Sequence, residues 1–170
     1  GVVPDLICCG KGITSGLPLS AVIGRQEIMD LYPPGSMTST HTGNPICVAS
    51  ALANLHVIRD ERLVDNAHAM GEILQPELQR LGQRFAPYIG AVHGKGLVAS
   101  LHMVKLGGIE PHPEAAARIV RRAVEKGLML FAPVGYRGAS VKISPPLTTP
   151  EDALREGLAV MEAAIEEVLE

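Results

Sequence analysis

Residues 4–24 read PDLICCGKGITSGLPLSAVIG, and the fold prediction starts from this stretch. The short apolar run at residues 6–9 is typical of a buried strand, and a second apolar run follows at residues 19–24. Between them lies Lys11, which has a glycine on each side. A lysine in a dry site can act as an amine nucleophile, and glycines let a flat ligand approach the backbone. An isolated turn lysine more often points into water, so the rest of the chain must decide between the two interpretations.

Composition and charge exclude several function classes. The 170 residues are 46% hydrophobic and 19% charged, which is the usual balance of a globular domain. The formal net charge of -3 provides no basic field, so we expect neither nucleic acid nor an anionic membrane as a partner. No apolar run reaches the roughly 18 residues of a membrane helix. The chain starts abruptly, and we expect it to lack the upstream part of its fold.

The cysteines and histidines do not indicate a disulfide framework or a metal site. Two of the three cysteines are adjacent, so we expect buried thiols in a reducing compartment rather than disulfides, and this favours the cytoplasm. None of the six histidines has a second histidine, cysteine or carboxylate at ligand spacing on one face. We therefore predict no bound metal.

A polar segment separates the first strands from two long helices. Residues 32–44 are rich in Pro, Gly, Ser and Thr, and such a stretch in a compact domain usually has a function. Asn44 as a cap and Pro45 at the first position then predict a helix start. A second helix is predicted over residues 61–85, and Pro76 within it should kink or split it.

The remaining residues predict a mixture of strands and helices. Residues 92–101 resemble two strands joined by a glycine bend. A helix is predicted over residues 114–126, ended by Gly127. Further strands are predicted at residues 128–131 and 141–144.

A last helix is predicted after Thr149 and Pro150, because two acids follow in its first turn. The change of pattern near residue 87 predicts a domain boundary. The chain is thus predicted to be α/β, with a remnant of a parallel sheet and long helices over residues 1–86. A smaller α+β domain with an antiparallel sheet is predicted over residues 87–170.

The whole stretch of residues 4–24 resembles the active-site segment of the class III aminotransferases, which are pyridoxal-phosphate enzymes of fold type I. In that family the lysine at the position of Lys11 forms a Schiff base with the cofactor. Residues 39–45 resemble the family segment Ser-Thr-aromatic-Gly-Gly-Asn-Pro, whose threonine binds the cofactor phosphate of the neighbouring subunit. The resemblance implies that Lys11, Ser39 and Thr40 bind pyridoxal phosphate, with Thr40 acting across a homodimer interface.

The chain departs from the family pattern at three positions. His41 and Thr42 replace the aromatic residue and the first glycine of the phosphate segment. Lys142 stands where most members carry an arginine that grips the substrate carboxylate, and a lysine lacks the planar fork of a guanidinium. Either Lys142 binds a carboxylate less specifically or the acidic group is held elsewhere, with Arg137 able to compensate. A strand-end lysine facing solvent is the third interpretation.

The resemblance implies transamination between an amino donor, either an amino acid or an ω-amine, and a 2-oxo acid. It also implies that the chain corresponds to the C-terminal part of the enzyme, namely the end of the large domain and the small domain. The family's aspartate for the pyridine nitrogen and its glycine-rich phosphate cup lie upstream, so we expect little or no activity from this chain alone. Two alternatives stay open. One is another pyridoxal-phosphate reaction (mutase, decarboxylase or phospholyase), and the other is a non-catalytic piece that serves folding and dimer contact.

Overall fold

The structure, a computed structural model, describes residues 1–36 and 38–169. The chain packs as two compact units, Gly1–Arg62 and Leu63–Glu170, called here the lysine unit and the sheet unit. The division falls earlier than the boundary predicted near residue 87. The reason is that the helix after Leu63 packs against the sheet that follows it, so this helix belongs to the second unit.

The lysine unit begins with two short strands, β1 (Leu6–Cys9) and β2 (Ala21–Gly24). They pair antiparallel, with Cys9 opposite Ala21, whereas the end of a parallel sheet was predicted here. A parallel pair needs a crossover of about a dozen residues or more, usually a helix, and residues 10–20 turn back without one. The α/β class is confirmed, and the parallel pairing is corrected for the strands that the structure describes.

Two helices complete the lysine unit, α1 (Gln26–Met29) and α2 (Pro45–Asp60). The predicted cap of α2 is confirmed, because the Oδ1 atom of Asn44 accepts a hydrogen bond from the backbone N–H of Ile46 at 2.9 Å. Few side chains of this unit are buried. Many of its apolar side chains are exposed, and those on the two strands and along α2 include Leu6, Ile7, Val22, Ile23, Ile46, Leu52 and Leu55.

The sheet unit combines a three-stranded antiparallel sheet with three long helices. The strands lie in the order β3-β4-β5, and each neighbouring pair is antiparallel, as predicted for the sheet of this half of the chain. Their bounds, with those of the helices, are β3 Ile89–Lys95, β4 Val98–Met103, β5 Ser140–Ile143, α3 Leu63–Arg84, α4 Pro113–Glu125 and α5 Glu151–Leu169.

One face of the sheet packs against the helices to form the core. Alternate residues of β4 point inward, as the period of two requires. Its largest fully buried side chains are Leu74, Leu78, Leu81, Leu101, Met103, Ile119, Met161, Ile165 and Val141. The core is therefore shared by α3, α4, α5 and the sheet.

Helix α3 is continuous through Pro76 and approaches the sheet very closely. The predicted split is therefore wrong, although Pro76 removes one backbone donor. A Cβ atom on Gly71 would lie 2.6 Å from the Cα atom of Gly96, the residue with φ of +55° in the turn between β3 and β4. Two glycines thus let the helix backbone and the turn backbone touch.

Ion pairs link α3 to α5 on the outside of the unit. Arg80 donates to both carboxylate oxygens of Glu162, at 2.9 and 2.6 Å, and Arg84 donates to the same carboxylate at 2.7 Å. Arg84 also pairs with Glu166. These hydrogen bonds, that from Arg80 first, lower the pKa of Glu162 to about 2.

The segment after α4 is not the strand that was predicted. Gly127 ends the helix with φ of +95°, as predicted, and the backbone N–H of Leu128 donates to the carbonyl of Ala123 at 2.9 Å. Residues 128–131 then have no strand partner in the described part of the chain. Met129 and Phe131 expose their side chains there.

Candidate functional site

Lys11 lies in a strained turn directly after β1. Lys11–Thr14 form one turn of 3₁₀ helix, and Lys11 itself has φ of 46°. Residues other than glycine rarely adopt this left-handed conformation, and it costs about 1–2 kcal/mol. Ser15, at the end of the turn, has φ of 53°. The side chain of Lys11 is exposed, whereas that of Thr14 is buried and donates its hydroxyl hydrogen to the carbonyl of Leu17.

Helix α2 holds this turn from one side. The Nδ2 atom of Asn54 donates to the carbonyl oxygens of Gly12 and Ile13, at 3.0 and 3.1 Å. The hydroxyl of Ser50 donates to the carbonyl of Thr14 at 2.7 Å. Three backbone carbonyl groups of the turn thus accept hydrogen bonds from two side chains of one helix, and that of Gly12 also accepts from the backbone N–H of Ser15 at 3.2 Å.

A shallow concavity of about 440 Å³ opens beside the lysine. Its lining residues are Lys11, Gly12, Ser15, Gly16, Leu17, Pro18 and Leu19. A Cβ atom added at Gly12 or Gly16 would meet nothing within 4 Å, so the backbone there is open to a flat ring. These residues fit the covalent attachment of pyridoxal phosphate. Among the described residues no carboxylate lines the concavity, so a partner for a pyridine nitrogen must come from elsewhere.

The loop before α2 carries the two other residues predicted to bind the cofactor. The hydroxyl groups of Ser39 and Thr42 lie 2.6 Å apart, and the backbone N–H of Ser39 donates to the Thr42 hydroxyl at 3.1 Å. Thr40 is exposed, and its hydroxyl makes no hydrogen bond with the residues that the structure describes. Neither Ser39 nor Thr40 lines the concavity of Lys11.

The two residues predicted to bind substrate lie in the sheet unit. Lys142 is opposite Ser100 on the edge strand β5, and its Nζ atom lies 5.3 Å from the centre of the Phe131 ring. Arg137 has φ of 54°, and its guanidinium lies 5.5 Å from the ring of Tyr136. The structure therefore supplies each cation with an aromatic face, which is a favourable contact.

Lys142 also lines a groove of about 430 Å³ that the sequence did not predict. We call it the Lys142 groove, and its walls are residues 128–131, the end of β5 with the following segment, and one face of α5. Arg137 is not part of it. The signal in the sequence that bears on the groove is the apolar run at residues 128–131, which predicts a strand.

The described residues also bear on metal binding and on membrane insertion. No group of three or more histidine, cysteine, aspartate or glutamate side chains there could hold a metal ion. Helices of the described part of the chain lack the combination of length and apolar character that crossing a bilayer requires.

Comparison with known sequences identifies the family. The sequence model described as aminotransferase class-III matches residues 1–165. The chain belongs to the class III aminotransferases. Because the match covers almost the whole chain, the resemblance seen at residues 4–24 extends through both units of this class III chain.

Individual class III relatives differ in their reactions. The alanine/serine racemase of Pyrococcus horikoshii is 41% identical over 99% of this chain and 35% of the racemase. The 5-aminovalerate aminotransferase of Pseudomonas putida is 37% identical over 99% of this chain and 39% of that enzyme. An amine transaminase from an uncultivated Pseudomonas species, solved in its PLP-bound form, superposes with a TM-score of 0.85. It is 33% identical over 98% of this chain and 39% of that structure.

These comparisons confirm the family, the fold and the cofactor that the sequence predicted. The fold is part of that of the pyridoxal-phosphate-dependent transaminases, and pyridoxal phosphate is the cofactor of the family. The chain spans between about a third and two-fifths of the length of the curated relatives that it matches. The roles of Lys11, Ser39, Thr40, Arg137 and Lys142 stay predictions.

Proposed function

We propose that this chain is the lysine-bearing part of an enzyme that transfers an amino group between an amino donor and a 2-oxo acid. The observation that carries the proposal is the position of Lys11. Its side chain is exposed beside an open concavity, on a turn that α2 holds by three hydrogen bonds, in a class III chain. The name of the 5-aminovalerate aminotransferase of Pseudomonas putida supports this reaction class.

Each predicted residue then has a role. Pyridoxal phosphate, when bound, would accept the electron pair that is left on the substrate carbon when its proton is removed. Lys11 attaches the cofactor through its Nζ atom, and the same amine, once released, takes a proton from the substrate carbon and returns it. Lys142, with Arg137 as a second candidate, binds the carboxylate of the substrate as a point charge.

Ser39 and Thr40 are proposed to bind the cofactor phosphate of the neighbouring subunit in a homodimer. Two observations support this: the hydroxyl of Thr40 is exposed, and the loop leads into the amino terminus of α2, where anions are favoured. A mixing experiment with the whole enzyme tests it. Lys11→Ala and Thr40→Ala subunits, each impaired alone, should regain cofactor retention when they are refolded together. Absence of any gain on mixing argues for phosphate binding within one subunit.

Attachment of the cofactor to this chain can be tested directly. Pyridoxal phosphate is added to the 170-residue chain, the mixture is reduced with borohydride, and the modified peptide is identified by mass spectrometry. We expect the label on Lys11, its loss in Lys11→Ala and its retention in the control Lys95→Met. Label spread over many lysines contradicts the proposed role. We expect no turnover of an amino donor by this chain alone, because no carboxylate of the described residues lines the concavity.

A racemase is the second candidate function. It is favoured by the name of the 41% identical relative, an alanine/serine racemase. Racemisation removes a proton from the substrate carbon and returns it to the other face, so it needs no 2-oxo acid. The whole enzyme should then invert alanine or serine in deuterium oxide without an added oxo acid. Dependence of all turnover on the oxo acid supports transamination instead. The same assays with other amines test the mutase, decarboxylase and phospholyase alternatives.

We also propose that the enzyme works in the cytoplasm. The three cysteines are free thiols, Cys8 exposed and Cys47 buried, which suits a reducing compartment. If the chain has no catalytic role and serves only folding and dimer contact, the borohydride experiment labels no single lysine.

A further inference from the structure

Asn54, a half-buried residue of α2, uses its whole amide group on residues 11–15, called here the lysine turn. Its Nδ2 atom donates to the carbonyl oxygens of Gly12 and Ile13 at 3.0 and 3.1 Å, and its Oδ1 atom accepts from the hydroxyl of Ser15 at 2.7 Å. No other side chain of this length offers two N–H donors together with a carbonyl acceptor. The amide therefore bonds the segment between the two left-handed residues of the turn, Lys11 and Ser15.

The conformation of Lys11 needs support because it is unfavourable by itself. Its φ of 46° places a residue with a side chain in the left-handed region. The free-energy cost of that conformation is comparable to the net contribution of about one or two hydrogen bonds. Loss of the Asn54 amide would therefore let Lys11 relax to a negative φ.

The φ angle of Lys11 also determines where its amine lies. A rotation about the N–Cα bond swings the Cα–Cβ bond, so the Nζ atom at the end of the side chain moves by several ångströms. A reacting group that is misplaced by about 1 Å can lose about a hundredfold in rate. Lys11 lines the concavity, whereas Asn54 does not. Asn54 thus has a way to affect the lysine without touching anything bound beside it.

We propose that Asn54 is a positioning residue for Lys11, and that its amide holds the lysine in the left-handed conformation in which it lines the concavity. The inference rests on the proposed attachment of the cofactor to Lys11 and adds a residue from outside the concavity to that site. Asn54 acts through the backbone of the lysine turn.

NMR of the 170-residue chain measures the conformation of Lys11. The amide hydrogen and the Hα atom of one residue lie closest together at positive φ, so their nuclear Overhauser contact is strong there and weak at negative φ. We expect a strong contact at Lys11 in the parent chain and a weak one in Asn54→Ala and Asn54→Asp. The aspartate has nearly the shape of asparagine but its carboxylate donates no hydrogen bond. A weak contact in the parent chain, or a strong one in both variants, overturns the proposal.

Reductive labelling with pyridoxal phosphate and borohydride measures the position of the amine. The label on Lys11 is divided by the label on Lys95, an exposed lysine of β3 in the same molecule. We expect this ratio to fall by about tenfold or more in Asn54→Ala and Asn54→Asp. Asn54→Gln keeps the amide and should restore the ratio to within about threefold of the parent chain. In a parent chain that favours Lys11, a ratio unchanged by Asn54→Ala assigns the amide to stability alone and overturns the proposal.

Ala51→Gly is the control for stability. It weakens the same helix at a buried position and removes no hydrogen bond to the lysine turn, so the NMR contact and the labelling ratio should both keep their parent values. An equal fall of the ratio in Ala51→Gly attributes the effect to unfolding of the lysine unit and overturns the proposal. A parent chain that does not favour Lys11 over Lys95 contradicts the proposed function, whereas loss of the NMR contact in Asn54→Ala still supports the role of Asn54.

Discussion

The hydroxyl of Ser15 donates to the Oδ1 atom of Asn54 at 2.7 Å, and the Nδ2 atom of the same amide donates to two carbonyl groups of the turn. Both the oxygen and the nitrogen of the Asn54 amide are thus hydrogen-bonded to the segment that begins with Lys11. This fixes the orientation of the amide and holds the lysine turn against the helix.

We expect Asn54→Ala to loosen the lysine turn. Loss of its hydrogen bonds, each contributing about 0.5–1.5 kcal/mol, should speed amide hydrogen exchange of residues 12–15 by about tenfold or more. Exchange measured by mass spectrometry is the readout. His56→Ala, an exposed position on the same helix, is the control and should leave these amides unchanged. Unaltered exchange in Asn54→Ala would show that the amide does not hold the turn.

The backbone conformation at position 11 favours glycine over any other residue. Because its φ is 46°, Lys11→Gly should be more stable than Lys11→Ala by about 1 kcal/mol, although both remove the amine. Urea unfolding of the two variants measures the difference in free energy. The same pair of substitutions at Glu156, an exposed position in the interior of α5, should favour alanine. A more stable alanine at position 11 would contradict the left-handed conformation.

Glu162 should stabilise the sheet unit in a pH-dependent way. Its pKa is lowered from 4.5 to about 2 by hydrogen bonds from Arg80 and then Arg84, so the folded state binds its proton less readily than the unfolded state. The contribution, of order 1 kcal/mol, is complete above pH 4.5 and is lost as the pH falls towards 2.

Unfolding of Glu162→Gln against pH checks this expectation. The variant should be less stable than the parent chain at pH 7, and the two curves should converge below pH 4.5. Glu156→Gln, an exposed position on α5 outside the ion pairs of the described chain, should follow the parent throughout. Parallel curves for Glu162→Gln and the parent down to pH 2 would contradict the shift.

Two glycines in long helices should respond to alanine in opposite ways. At Gly71 a Cβ atom would lie 2.6 Å from the backbone of Gly96, so Gly71→Ala should destabilise by about 1–3 kcal/mol. At Gly157 the nearest atom, the Cδ1 of Leu128, is 3.4 Å away, so Gly157→Ala should be neutral or stabilise by up to about 1 kcal/mol. Thermal unfolding gives both values. Equal effects would show that α3 moves away from the turn at little cost.

Features that depend on a few neighbouring residues were predictable from the sequence. The cap at Asn44 and the helix end at Gly127 follow from the chemistry of one or two side chains, and both are confirmed. The direction of β2 was not predictable from its apolar pattern, because the pattern of a strand does not state which way it pairs. The Lys142 groove was not predictable either, because its walls are distant in the sequence and residues 128–131 meet α5 only through tertiary packing.

The lysine unit buries Thr14, Cys47 and Ala51 but few other side chains, whereas the sheet unit has a continuous core. The free energy that keeps the lysine turn closed is therefore small within this unit, and a group attached at Lys11 would add its own binding energy to it. The fraction of chains with a group attached at Lys11 would then determine how long the turn stays folded. A protease that cleaves only the unfolded turn would therefore cut more slowly as that fraction rises.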